Sequence, residues 1–171
     1  MQPTKMAAGA PFPKVSWPTV GGGALDPASG EGWRLLVVYR GKHCPLCKTY
    51  LKTLNDLLGD FTAAKISVAA LSADSRDKAV SEAESQGWSF TVGYDLTPPQ
   101  MMSLGLYVST PRSAEEADRP FAEPGLFVIN PNGLVQIIDI SNAPFVRPDL
   151  RSLLGGLQFV IAKDYPIRGM A

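Results

Sequence analysis

Cysteine and histidine are scarce in this chain. Its 171 residues hold two cysteines and one histidine, fewer than the four Cys/His ligands a structural zinc site usually needs. An excess of charge of one sign is also missing: sixteen basic residues face sixteen acidic ones. The chain therefore has no electrostatic footprint for nucleic acid or an anionic membrane surface. No apolar run approaches the ~18 residues that suggest a membrane span. The opening stretch, MQPTKMAAGAPFPK, has no apolar core of a secretory signal, because Pro, Lys, Thr and Gly interrupt it. VGGG, starting at Val20, lacks the lysine and spacing of a phosphate loop, and no serine sits in a hydrolase elbow. A cytoplasmic protein is expected, in a compartment where a structural disulfide is not.

What remains is enough for one domain. Hydrophobic residues make up 45% and charged residues 19%, an ordinary globular balance. WRLLVVY (33–39) is a short apolar run with β-branched residues, suited to a strand buried on both faces. Leu46, Tyr50, Leu54 and Leu57 then recur at helical spacing, and Gly59 is placed to end that helix. KISVAALSAD (65–74) reads as a second buried strand, SRDKAVSEAESQ as a polar helix closed by Gly87, and SFTVGYD as a strand. TPPQMMSLGL suits a short helix with Met101 and Met102 in the core, and 107–124 reads as a loop. A small hairpin is expected around Val20 to Leu25.

GLFVIN-PNG-LVQIIDI is the clearest local signal, two β-rich runs around a Pro-Asn-Gly turn. From Pro148 to Ala162, leucines recur on one helical face; Gly155 and Gly156 within it either allow close approach to a sheet or are tolerated weak spots. The early strands, joined by helices, predict parallel pairing with right-handed crossovers, and the late hairpin adds antiparallel strands. The expected fold class is α/β, with a mixed central sheet and helices on both faces.

The chemistry concentrates in YRGKHCPLCKTYL (39–51). With Cys44 as helix N-cap, Pro45 takes the first helical position, where a missing N–H costs nothing. Cys47 then lies one turn further, on the same side as Cys44. The unpaired N–H groups and the dipole of the helix start favour a Cys44 thiolate. Arg40, Lys42, His43 and Lys48 add positive charge. The thiolate is the form that attacks peroxides and disulfides. Cys44 is thus the expected attacking group, with Cys47 closing a disulfide onto it. Two buried, inert thiols are the competing reading. His43 is a candidate base or charge neighbour, or a partly exposed bystander beside the site.

A strand, then YRG-x-H-C-P-L-C, then an amphipathic helix resembles the peroxiredoxin-like (AhpC/TSA-type) branch of the thioredoxin fold. PGLFVINPNGLVQ is similar to that family's strand-hairpin-strand, and NAPFVRPDLRSLLGGLQFVI to its C-terminal helix. The resemblance spans residues 14–165, leaving 1–13 as an irregular leader and 166–171 as a tail. It implies that Cys44 matches the attacking cysteine and Cys47 the second cysteine of a thioredoxin-type pair. It also implies that Pro124 is a cis-proline facing the site.

Departures are visible too. Gly41 stands where the family has threonine, Val37 where it has proline, and Val38 where a thioredoxin buries aspartate. Pro124 occupies the place of the usual arginine, for which Arg40 and Arg147 are candidate substitutes. The resemblance implies hydroperoxide reduction through a Cys44 sulfenic acid, with protein disulfide exchange, or a redox-sensing or binding module, as alternatives. No organic cofactor and no metal is implied. A reducing partner such as a thioredoxin system is needed, and family analogy suggests a homodimer.

Overall fold

The structure is a computed structural model describing residues 4–171; the first three residues of the expected leader lie outside the described residues. In chain order, β1 (Trp17–Pro18) and β2 (Ala24–Leu25) form a small hairpin, followed by β3 (Trp33–Val38), α1 (Pro45–Asp56), α2 (Leu58–Ala63) and β4 (Ile66–Leu71). Then come α3 (Arg76–Gln86), β5 (Thr91–Gly93), α4 (Pro98–Ser103), β6 (Val108–Ser109) and β7 (Phe121–Ala122). The hairpin strands β8 (Gly125–Ile129) and β9 (Val135–Ile140) and the helix α5 (Leu150–Lys163) complete the chain.

The main sheet has the order β5-β4-β3-β8-β9. Pairing is parallel among β3, β4 and β5 and antiparallel for β3–β8 and β8–β9. This is the mixed sheet expected of strands joined first by helices and then by a hairpin. At the hairpin turn Gly133 takes φ +78° and donates its N–H to Asn130 O at 2.9 Å. The Asn130 side chain accepts the N–H groups of Asn132 and Leu134.

Alternation along the central strands divides the core between two faces. Leu35, Val37, Val68, Ala70, Leu126 and Val128 point to one face, where Leu51 and Leu54 of α1, Ala79 and Ala83 of α3 and Leu154 and Leu157 of α5 cover them. Leu36, Val38, Leu71, Phe127 and Ile129 point to the other, covered by Phe12, Trp17, Met101 and Leu104. Helices thus lie on both faces. Among the described residues no helix is long and apolar enough to cross a membrane.

Three local expectations are corrected, and the alternative left open at Gly155 and Gly156 is decided. Gly59 does not end the helical segment: α1 stops at Leu57, and α2 carries Gly59 inside it. Burial of Phe61 rewards the extra turns, while a Cβ at Gly59 would meet nothing within 4 Å. Segment 107–124 contains the antiparallel pair β6–β7, which buries Phe121 and Ala122. Gly155 and Gly156 bring nothing close; both are exposed and would have open space around a Cβ. Finally, no peptide bond among the described residues is cis, including the one before Pro124. Glu123 donates its N–H to Tyr107 O, and Pro124 O accepts from Ser141, so the chain runs on from β7 into β8 with the intrinsically favoured isomer.

Candidate active site

The parallel strand β3 delivers its C-terminal end to the start of α1, and the turn between them is built by backbone. Tyr39 N–H bonds Leu71 O at 3.0 Å, and Cys44 N–H bonds Gly41 O at 3.2 Å. Gly41 has φ +140°, a conformation that side chains rarely adopt. A Cβ there would lie 2.7 Å from Asp74 Oδ1. That carboxylate accepts the Lys42 N–H at 2.9 Å, so the loop after β4 braces the loop after β3.

Cys44 caps α1 with extended backbone (φ −105°, ψ 104°), and Pro45 follows in the first turn. Its sulfur accepts the Cys47 backbone N–H at 3.2 Å. Both cysteines are unpaired, with Cys44 1% and Cys47 0% exposed. A hydrogen bond from the Cys47 side chain, the Cys47 N–H and the Arg40 guanidinium together outweigh burial and bring the Cys44 thiol down to about 6. The same S–H bond and burial push Cys47 far up. One sulfur is therefore ready to ionise at neutral pH while its neighbour holds the proton.

Two arginine side chains flank the dithiol, Arg40 nearer Cys44 and Arg147 against Cys47. Arg40 lies beside Cys44, with Nε 2.9 Å from Glu123 Oε1 and its guanidinium 4.9 Å from the Phe121 ring centroid. Glu123 also accepts from Ser109 Oγ at 3.1 Å, which ties β6 and β7 to the site. Arg147, just ahead of α5, places Nη1 3.5 Å from Cys47 Sγ and its guanidinium 4.4 Å from the Tyr50 ring centroid. The Tyr50 hydroxyl in turn donates to Pro148 O at 2.7 Å.

The sequence-predicted residues divide between these two sides. Arg40 and His43 gather on the Cys44 side; Pro124 shares a small cleft with Tyr50 and Arg147 on the Cys47 side. His43 packs 4.5 Å from the Phe121 ring centroid, and its Nε2 is buried without a partner. Burial and the Arg40 charge lower its pKa, so its ring is mostly neutral at pH 7. Sequence reasoning passed over Glu123 and Glu82. Glu123 was lost in a segment read as loop. Glu82 had a visible signal: it lies three residues after Ala79 and beside Ala83, on the inner face of α3. Among the described residues no group of three or more His, Cys, Asp and Glu side chains could hold a metal ion.

Residues 8–138 match the AhpC/TSA family. The chain belongs to that family. It is a peroxiredoxin-like oxidoreductase of thioredoxin fold. A comparison with curated proteins finds no match. Among solved structures, a cysteine-to-serine mutant of peroxiredoxin 6 of Arenicola marina superposes with a TM-score of 0.77 at 17% identity, covering 97% of this chain and 80% of that one. A peroxiredoxin-like protein from Aquifex aeolicus gives 0.76 at 15% identity, covering 92% and 89%. The reduced 2-Cys peroxiredoxin of Plasmodium vivax gives 0.74 at 16%, covering 97% and 90%. At such identities these likenesses speak for the fold.

Proposed function

We propose that the peroxiredoxin-like chain reduces hydroperoxides with Cys44 and resolves the product with Cys47. The observation that carries this reading is the Cys44 sulfur at the start of α1, hydrogen-bonded by Cys47 N–H at 3.2 Å and flanked by Arg40. In the first step the Cys44 thiolate attacks the terminal peroxide oxygen. The O–O bond breaks, sulfur is oxidised by two electrons to a sulfenic acid, and the leaving alkoxide takes a proton to become an alcohol. The Arg40 guanidinium supports the negative charge on sulfur before attack and on oxygen as it departs.

Resolution follows within the same helical turn. Cys47 loses its proton and bonds to the Cys44 sulfur, and the sulfenic oxygen leaves as water. Arg147 is the cation that meets the Cys47 sulfur as it becomes anionic. A dithiol reductant such as a thioredoxin system then returns both thiols by exchange. A reducing compartment such as the cytoplasm suits this cycle.

Rapid mixing of the reduced protein with hydrogen peroxide or an alkyl hydroperoxide tests the reading. The expected product is an intramolecular Cys44–Cys47 disulfide, with no reaction in Cys44→Ser. A protein indifferent to peroxide that turns over a protein disulfide would be an exchange enzyme instead. Gly41 favours that second reading, because it offers no side chain where the family has threonine.

A further inference from the structure

Glu82 is a carboxylic acid where the fold leaves no room for an idle one. It is 1% exposed, and neither carboxyl oxygen has a hydrogen-bond partner. It sits on the inner face of α3 with Ala79 and Ala83, which share a core with Tyr39, Cys44, Cys47 and Leu51. Lys42, two residues before Cys44, reaches the neighbouring Ser81 Oγ at 3.1 Å, so this stretch of α3 is fastened to the loop that precedes the dithiol.

Charged and titratable groups surround Glu82 from each direction. Lys48 and Cys44 act on it from the start of α1, Lys42 from the loop after β3, and Asp74 from the loop after β4. Tyr39, at the end of β3, lies in the field of Glu82, Asp74 and Cys47 alike. Asp74 is itself buried and holds the Lys42 N–H. Two anions and a potential thiolate thus compete for two lysines. Burial, then the Asp74 charge, raise Glu82 to about 7, and negative charge on Cys44 pushes in the same direction.

We propose that Glu82 is a positioning carboxyl for the dithiol, protonated while Cys44 is a thiolate and ionised once that sulfur has lost its charge. The inference rests on Cys44 being the reactive sulfur. The balance closes: Cys44–S⁻, Glu82–COOH and R–OOH become Cys44–SOH, Glu82–COO⁻ and R–OH. Total charge is conserved and sulfur gives two electrons to the O–O bond; the leaving alkoxide takes its proton from solvent, and Glu82 returns one proton to solvent as the charge on sulfur is lost. The acid acts through the charge on sulfur and does not touch the peroxide. Beside Asp74, this interior then carries one further negative charge throughout the step, where burying two more would be costly.

Two readouts test this without relying on peroxidase activity. The first is the pH titration of thiolate ultraviolet absorbance in the reduced protein, for wild type, Glu82→Gln and Glu82→Leu. Wild type should titrate broadly, as two coupled groups do. Both variants should titrate in a single sharper step, shifted down by about half a pH unit or more. Identical curves in wild type and both variants overturn the proposal.

The second is infrared difference spectroscopy of wild type near pH 7, close to the Glu82 midpoint, with the dithiol oxidised by diamide. A protonated-carboxyl band should weaken on oxidation and be missing in Glu82→Gln. No weakening in wild type overturns it even if the Glu82 variants fold poorly, and a weakening that Glu82→Gln retains overturns it as well. Failure of peroxide to react, with both signals present, would refute the peroxidase reading and leave this inference standing.

Discussion

Replacing Cys47 by alanine isolates what the second sulfur does for the first. Cys44 falls from 9.0 to about 6, which corresponds to roughly 4 kcal/mol of preference for the thiolate. The Cys47 side chain leads the causes, followed on the favourable side by its backbone N–H and by Arg40, against the opposing effect of burial. Alanine deletes the S–H donor and keeps the N–H at 3.2 Å. A hydrogen bond to a charged acceptor is worth ~1.5–3 kcal/mol, so the Cys44 midpoint should rise by about one to two pH units.

At pH 7 the thiolate share would then fall from about nine-tenths to somewhere between about a tenth and a half. Cys47→Ser keeps a donor at the same place and should stay within about half a unit of wild type. With two cysteines in the chain, each variant leaves a single thiol, and its ultraviolet titration reads Cys44 alone. An alanine variant titrating at or below wild type would show that the S–H bond is not what lowers Cys44. The reasoning about the paired sulfurs would then fail.

Three further outcomes are expected. Arg147→Met removes the donor 3.5 Å from Cys47 Sγ and should slow disulfide closure about tenfold; dimedone trapping should catch more Cys44 sulfenic acid, and an unchanged trapping ratio would count against a role for Arg147. Glu82→Leu should stabilise the fold at pH 8 by up to about 3 kcal/mol and by little at pH 4.5. The folded pKa, raised to about 7 from 4.5, means the native state binds more protons across that window. Wild-type stability therefore falls as pH climbs through it, and urea denaturation at the two pH values checks the sign. Gly41→Ala meets both a φ of +140° and the Asp74 carboxylate 2.7 Å away, and should cost about 1–3 kcal/mol by the same denaturation; a neutral result would mean the turn relaxes freely.

Local rules carried the sequence reading furthest where backbone chemistry is self-contained. The buried runs of β3 and β4, the Asn130–Gly133 turn and the Cys44 cap with Pro45 behind it all follow from neighbours in the chain. What escaped depends on distant packing. Gly59 was a sound helix terminator by local logic, but burial of Phe61 overrode it. β6 and β7 are two residues each and exist because Phe121 and Ala122 have a core to enter. Arg40 and Arg147 were visible as cations, yet their assignment to separate sulfurs needs Glu123 and Tyr50, which lie 83 and 97 residues away from them respectively in sequence. Glu82 hid behind the polar look of its helix.

The Cys44 cap has a mechanical side. The sulfur proposed to attack peroxide is also the atom that holds the first turn of α1 closed, through the Cys47 N–H. An anionic cap at a helix start is worth about 1 kcal/mol, and oxidation replaces that anion by a neutral sulfur. In the proposed cycle each turnover would therefore loosen the turn that carries both thiols, at the moment when a reductant has to reach a disulfide formed from two buried atoms. Faster amide hydrogen exchange at Cys47 and Lys48 in the oxidised protein than in the reduced one would register that loosening. On that cycle the reduced helix is latched by its own reagent, and spending the reagent would open the latch.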